Sequence, residues 1–239
     1  MSAVSKPAPW IGGVDGCKSG WIVALRRIGD SAVTLRLLPK IADVVTLAEK
    51  PAMLAIDMPM GLAEIALRGG RDCEKAARKL LRGKASSVFS IPRRAVLFAE
   101  THKEASAINR AAGDGVGISI QAFHLLPKLR ELDDFITPVR QRRLVEAHPE
   151  LAFALMNGGA PVLSRKRTAQ GRRERIALLK RHGIELPPLN DLPRGVAIDD
   201  ALDAIALTRS AERLYRGEAV RLPGERQRDA RGLLMEICY

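Results

Sequence analysis

The chain has 239 residues, 46% hydrophobic and 28% charged, which is enough to bury a sizeable core and is the composition of a soluble globular protein. It offers no apolar run long enough to span a bilayer, no cysteine spacing (Cys17, Cys73, Cys238) suited to a disulfide framework or a zinc site, and no signal-peptide core in the polar stretch Met1 to Pro9, so a cytoplasmic protein without a membrane partner is expected. The net charge of +12 favours a polyanionic partner, nucleic acid first, although arginine-rich coding contributes to it; aromatics at 4% argue against a stacking platform for single strands.

Ile11 to Val14 and Trp21 to Arg26 are short apolar runs around a turn, Asp15 to Gly20, that is rich in Gly, Ser and Lys. Ala32 to Leu38 follows as a third strand, so the chain opens on a β-meander. Ile41 to Glu49 has helical spacing, with Ile41, Val44, Val45 and Ala48 on one face, and Pro51 ends it. Met53 to Ile56 is a fourth strand, closed at once by Asp57. The β-β-β-α-β order implies a mixed sheet with the fourth strand parallel to the first. From about residue 60 to 138 the pattern is mainly helical (Ala63 to Arg68, Asp72 to Leu81, Thr101 to Ala112, Ile118 to Asp134) and reads as an insertion covering one edge of the sheet. Arg143 to Ala147 is the fifth strand. Leu151 to Met156 starts a helix that stops at Asn157-Gly158-Gly159. Arg165 to Arg181 is a basic helix, Ile198 to Leu214 a strong one, and Leu233 to Ile237 is either an edge strand or a short helix. The expectation is one α/β domain over 1–239, its core drawn from about 10–58, 142–158 and 196–239.

Acids interrupt this apolar pattern at telling places. Asp15 stands among Gly13 and Gly16, and either presents a carboxylate to a metal or phosphate or opens the turn through its own backbone. Asp57 and Glu146 end two further strands. Asp200 and Asp203 are spaced i, i+3 on the face of the last helix that should pack on the sheet, and Asp199 should face elsewhere. If the strands are neighbours, four or five carboxylates converge, and their repulsion calls for a divalent ion. Oxygen ligands without His or Cys select Mg²⁺ or Mn²⁺, held by Asp15, Asp57, Asp200 and Asp203. Two such ions about 4 Å apart suit in-line attack on a phosphodiester, with Asp15, Asp57, Glu146 and Asp203 as the catalytic set. Each acid alone also has a local explanation: a helix N-terminus for Asp200, an arginine partner for Glu146, a turn for Asp57.

The candidate substrate contacts are Lys18 in the first turn, Ser87 with Arg93 and Arg94 in the loop after the second helix, and His148. The arginines bind phosphate or decorate a solvated turn; His148 is a base or substrate contact, or bonds locally before Pro149. The run Arg165 to Arg181 is a solvated basic face or a nucleic-acid contact. Cys17 lacks a partner base and reads as a small buried residue.

Order and acids together are similar to the ribonuclease H-like superfamily of nucleases and resolvases. More closely, the chain resembles the family known as domain of unknown function four-two-nine, whose members are predicted nucleases of that fold. The resemblance rests on Gly13-Val14-Asp15-Gly16-Cys17, Ile56-Asp57-Met58-Pro59, Arg71-Asp72-Cys73-Glu74, Ser87-Val88-Phe89, Gly117-Ile118-Ser119 with Gln121, Glu146-Ala147-His148-Pro149-Glu150 and Asp199-Asp200-Ala201-Leu202-Asp203, in the same order over most of the chain. It implies an RNase H-like five-stranded mixed sheet flanked by helices and a metal-dependent nuclease, with Asp15 bridging the ions, Asp57 as second ligand and Asp203 or Asp200 as the helix ligand. It does not choose between DNA and RNA. The alternative is a non-catalytic nucleic-acid or nucleotide-binding protein on the same scaffold.

Overall fold

A computed structural model describes residues 7–239; the opening segment Met1 to Lys6, part of the stretch read above for targeting, lies outside the described residues. The meander forms as β1 (Trp10–Cys17), β2 (Gly20–Arg27) and β3 (Thr34–Leu38), paired antiparallel in sequence. After a short α1 (Ile41–Val44) the chain returns as β4 (Met53–Ile56), parallel to β1 with Val14 opposite Ile56. β5 (Leu144–Glu146) adds parallel to β4, which completes a mixed sheet of order β3-β2-β1-β4-β5.

Between β4 and β5 run α2 (Asp72–Leu80), α3 (His102–Arg110) and α4 (Ile120–Phe135). After β5 come α5 (Pro149–Met156), α6 (Ala169–Arg181) and α7 (Ile198–Arg216), then a two-stranded ribbon of β6 (Arg221–Leu222) and β7 (Ile237–Cys238). Among the described residues no helix is long and apolar enough to cross a membrane.

Period-2 alternation divides the sheet's side chains between two apolar layers. Val14, Val23, Leu54 and Ile56 point to one side and pack with Leu126, Leu129 and Leu132 of α4. Ile22 and Ala24 point to the other and meet Leu202 and Ile205 of α7, with Phe153 of α5 and Leu179 of α6 behind. The segment between β4 and β5 therefore covers a face of the sheet rather than the expected edge. The edge beyond β5 is instead met by the C-terminus, through a bridge between Ala147 and Cys238.

Gly13 sets the depth of the α7 layer. A Cβ there would lie 2.0 Å from the Ala204 carbonyl oxygen and 2.8 Å from the Thr208 amide nitrogen, so the helix backbone rests directly on the strand backbone. That approach lowers the first turns of α7 onto the end of β1 and brings Asp203 to Asp15.

Local differences from the sequence expectations have physical causes. The first turn is shorter than Asp15 to Gly20: Asp15 pairs with Ile22 inside the ladder, and Lys18-Ser19 alone make the bend. Ala63 to Arg68 is not helical, because Ala66 is tied across to the chain after α3, its amide donating to Ala112 O at 3.1 Å and its carbonyl accepting from Asp114 N at 2.9 Å. The helix from Ile41 stops after one turn. The C-terminal segment resolves to a strand, confined to Ile237–Cys238.

Candidate functional site

The parallel register puts Asp57 next to Asp15. Val14 faces Ile56, and the Asp57 amide donates to Val14 O at 2.9 Å, so the residue that follows each of the pair stands beside the other. Asp15 shares a rung with Ile22, on the side of the sheet that α7 covers. One turn into α7, Asp203 points back at the same place. The three acids line a cavity of about 400 Å³ at this end of the sheet, together with Asp200, Ser87 and His148.

Burial dominates the electrostatics. Asp15 is 7% exposed and Asp203 2%. Burial, then the charges of Asp57 and Asp203, pushes the Asp15 carboxyl well above its usual range, against the pull of Lys166. Asp57 is raised by burial too, while His148 and Lys166 oppose the shift. Asp203 is pushed up to about 7 by burial, although the Lys166 ammonium donates to its Oδ2 at 2.5 Å and draws it down. Asp200 is half-buried and raised by that burial; its Oδ2 accepts from the Ala197 amide at 3.0 Å, so it caps the helix as well as lining the cavity. Asp199 faces away, buried against Arg167 and Arg172.

The chain belongs to DUF429. The model of this family, described as a protein of unknown function, matches residues 13–228. No curated protein and no solved structure matches. Asp15, Asp57 and Asp203 all lie within the matched residues and meet in the cavity, whereas the other proposed site residues divide.

Glu146 stands on the opposite side of the sheet from Asp15, because it shares a rung with Ile56, whose side chain belongs to the α4 layer. Its carboxylate reaches the cavity wall but is taken up there. Arg71 donates to both oxygens, at 3.0 and 2.6 Å, and the Met60 amide donates to Oε2 at 2.7 Å. Arg71 also holds Glu74 at 2.6 Å and the carbonyls of Met60 and Gly61, so the group is a buried brace between β5, the segment after β4 and α2. Burial lifts Glu146 to about 7 against the pull of that arginine. The expectation that Glu146 converges with the aspartates fails on this pleat alternation.

His148 lines the cavity as the N-cap of α5. Its Nδ1 accepts from the Glu150 amide at 3.2 Å and its Nε2 donates to Ser87 O at 3.3 Å, which uses both ring nitrogens of a neutral imidazole. Ser87 also lines the cavity, its hydroxyl donating to Lys84 O at 2.8 Å. Arg93 and Arg94 do not reach the acids. Arg93 binds the carbonyls of Ile108 and Glu64, and Arg94 is paired with Asp133 and Asp229. Lys18 is exposed on the β1–β2 turn and is not part of the cavity wall.

The basic groups of the wall were not legible as site residues. Lys166 and Arg167 lie inside a run of Arg and Lys with nothing to set them apart. Lys128 comes from α4, across the insertion, and lies over Gly16 with its ammonium donating to Gly20 O at 2.6 Å and resting on the Trp21 ring.

Hard oxygen donors without a thiolate fit Mg²⁺ or Mn²⁺ rather than a softer metal. Among the described residues no group of three or more His, Cys, Asp or Glu side chains is already drawn in to the spacing of a metal shell. The donor chemistry fits a divalent ion, and Lys166 supplies a countercharge to Asp203.

Proposed function

We propose that this protein is a divalent-metal-dependent phosphodiesterase acting on nucleic acid, built on an RNase H-like sheet. One observation carries the reading. Three aspartates from β1, the end of β4 and α7, distant in the chain, meet in one cavity in which burial and mutual repulsion oppose their charge. Packing alone gives no reason to gather buried like charges; a bound cation does. The strand order β3-β2-β1-β4-β5, with the first three strands antiparallel and the fourth and fifth parallel to the first, supports the RNase H-like part of this reading.

In this reading Asp15, Asp57 and Asp203 would hold the ion, with Asp200 beside them in the cavity wall. Mg²⁺ or Mn²⁺, when bound, supplies a polarised water and charge stabilisation at the phosphodiester oxygens. The chain's own part is to hold the acids rigidly on two strands and a helix and to draw in phosphate with Lys128 and Arg167. It also offers an adjoining hollow of about 470 Å³, lined by neutral groups such as Ser90, Ser119 and Gln121 and sharing Phe89 with the acid cavity. A second reading, nucleic-acid binding without catalysis, is favoured by one fact: Lys166 already neutralises Asp203.

Titration calorimetry of Mn²⁺ into wild type and Asp15→Asn, with a melt of each and a cleavage screen over DNA and RNA, separates the two. Metal binding and cleavage in wild type, both lost in a variant that melts no lower, are the expected results. Chelator-insensitive nucleic-acid binding retained in Asp15→Asn, without cleavage, selects the second reading. A variant that unfolds makes Asp15 structural and ends the proposal.

A further inference from the structure

Lys166 is the one basic residue, among those described, that hydrogen-bonds any of Asp15, Asp57 or Asp203. The other cations in the cavity wall are committed elsewhere: Arg71 to Glu74 and Glu146, Arg167 to Asp199, Lys128 to the Gly20 carbonyl and the Trp21 ring. His148 has both ring nitrogens in use. One ammonium therefore faces the acid cluster alone.

Its backbone is fastened and its side chain is not. Ser164 O accepts from Lys84 at 2.8 Å and from Arg175 at 3.2 Å, and Arg165 O accepts from the Thr168 amide at 3.0 Å and hydroxyl at 2.8 Å. A Cβ on Gly171 would lie 2.1 Å from Arg165 O, so this segment also sits tight against the first turn of α6. Yet the Lys166 side chain is 38% exposed, open to solvent along a stem of four methylenes. A rotamer change, with no backbone motion, withdraws the charge from Asp203.

We propose that Lys166 is a resident counter-cation: it holds the aspartates together in the metal-free chain and swings out to solvent when a divalent ion takes its place. This rests on the metal-dependent reading above and adds to it a competitor built into the site. Lysine suits the role because its charge is a compact point on a flexible stem, whereas an arginine fork would lock a carboxylate bidentately.

The test uses the whole chain and Mn²⁺ alone. Lys166→Met keeps most of the stem and removes the charge. It is expected to bind Mn²⁺ at least about tenfold more tightly than wild type, since an adjacent unit charge in a partly buried site is worth more than a tenfold change requires. It should melt lower than wild type in EDTA and recover fully at saturating Mn²⁺. Lys166→Arg should keep the EDTA melting temperature without gaining affinity. Arg181→Met removes an equal charge from an exposed side chain at the far end of α6, outside the cavity wall, and should change Mn²⁺ affinity less than about twofold. In wild type, acetylation of Lys166 by an N-hydroxysuccinimide ester, read by mass spectrometry, should rise several-fold on adding Mn²⁺; this needs no variant to fold. Binding in wild type with equal or weaker binding in Lys166→Met, or labelling unchanged by bound Mn²⁺, overturns the exchange and leaves the metal site standing. No Mn²⁺ binding by either protein overturns the metal reading itself, and the exchange with it.

Discussion

Asp57 has no hydrogen-bond partner for its carboxylate among the described residues, although it stands beside Asp15 and adds to the burden on Asp203. Burial holds its ionisation above the ordinary 3.8. The folded chain therefore keeps a proton that the unfolded chain releases, and the sign of the pH dependence follows. The contribution is full below 3.8 and is lost as pH rises through the folded value, with Asp203 extending the decline to about 7. In EDTA, melting temperature should fall as pH is raised across that window, the reverse of a protein held by acids whose ionisation is depressed. Asp57→Asn should raise the melting temperature of the metal-free chain at neutral pH, flatten that fall, and abolish Mn²⁺ binding. Thermal melts over a pH series decide it; a lower melting temperature for Asp57→Asn at neutral pH would make the carboxylate a structural partner.

At the scale of elements, the site depends on how closely α7 lies on β1, and that depends on Gly13. Gly13→Ala forces a methyl into the Ala204 carbonyl and should cost roughly 3 kcal/mol or more, or prevent folding. Gly12→Ala, one residue earlier on the other face, meets chiefly the mobile ends of Leu54 and Leu25 and should cost about 1 kcal/mol. Urea denaturation of the pair checks the order, and similar values for both would remove Gly13 as the spacer. Much of this architecture was legible. Apolar runs gave β1, β2 and β4 and the parallel return, because a strand buried on both faces is apolar along most of its length. The acids stood out because a carboxylate is costly in such surroundings. What was not legible depends on distant partners. Ala63 to Arg68 has helical spacing, but its backbone is claimed by residues 112 and 114. The sequence pattern groups Glu146 with Asp15, yet a single step of strand alternation turns it toward Arg71. Lys166 is one of many basic residues in its run, and only the fold shows which of them meets Asp203.

For the molecule as a whole, the net charge of +12 and an acidic cavity act in opposite senses on a polyanion. On the proposed reading, the positive field would draw a phosphate backbone in, whereas the aspartates without metal would repel it locally, so encounter and capture would be separable. On the proposed reading, exposed arginines near Lys166 and Arg167 in the chain supply the first step. Arg165 and Arg173 are exposed, with no ion-pair partner among the described residues, and they flank the segment that carries Lys166 and Arg167 into the cavity wall. If nucleic acid is the substrate, its affinity in EDTA should weaken linearly on a log–log plot against salt. Arg165→Gln with Arg173→Gln should reduce the magnitude of that slope by up to about 2, with little effect on melting temperature or Mn²⁺ affinity. Fluorescence anisotropy with a labelled oligonucleotide over a salt series measures it. Mn²⁺ should tighten binding to wild type by converting repulsion at the aspartates into attraction, and should do so far less in Asp15→Asn. A slope unchanged by the two substitutions places the phosphate path on another face. An affinity insensitive to salt means that the charge excess is compositional and that the acidic cavity serves a small substrate instead.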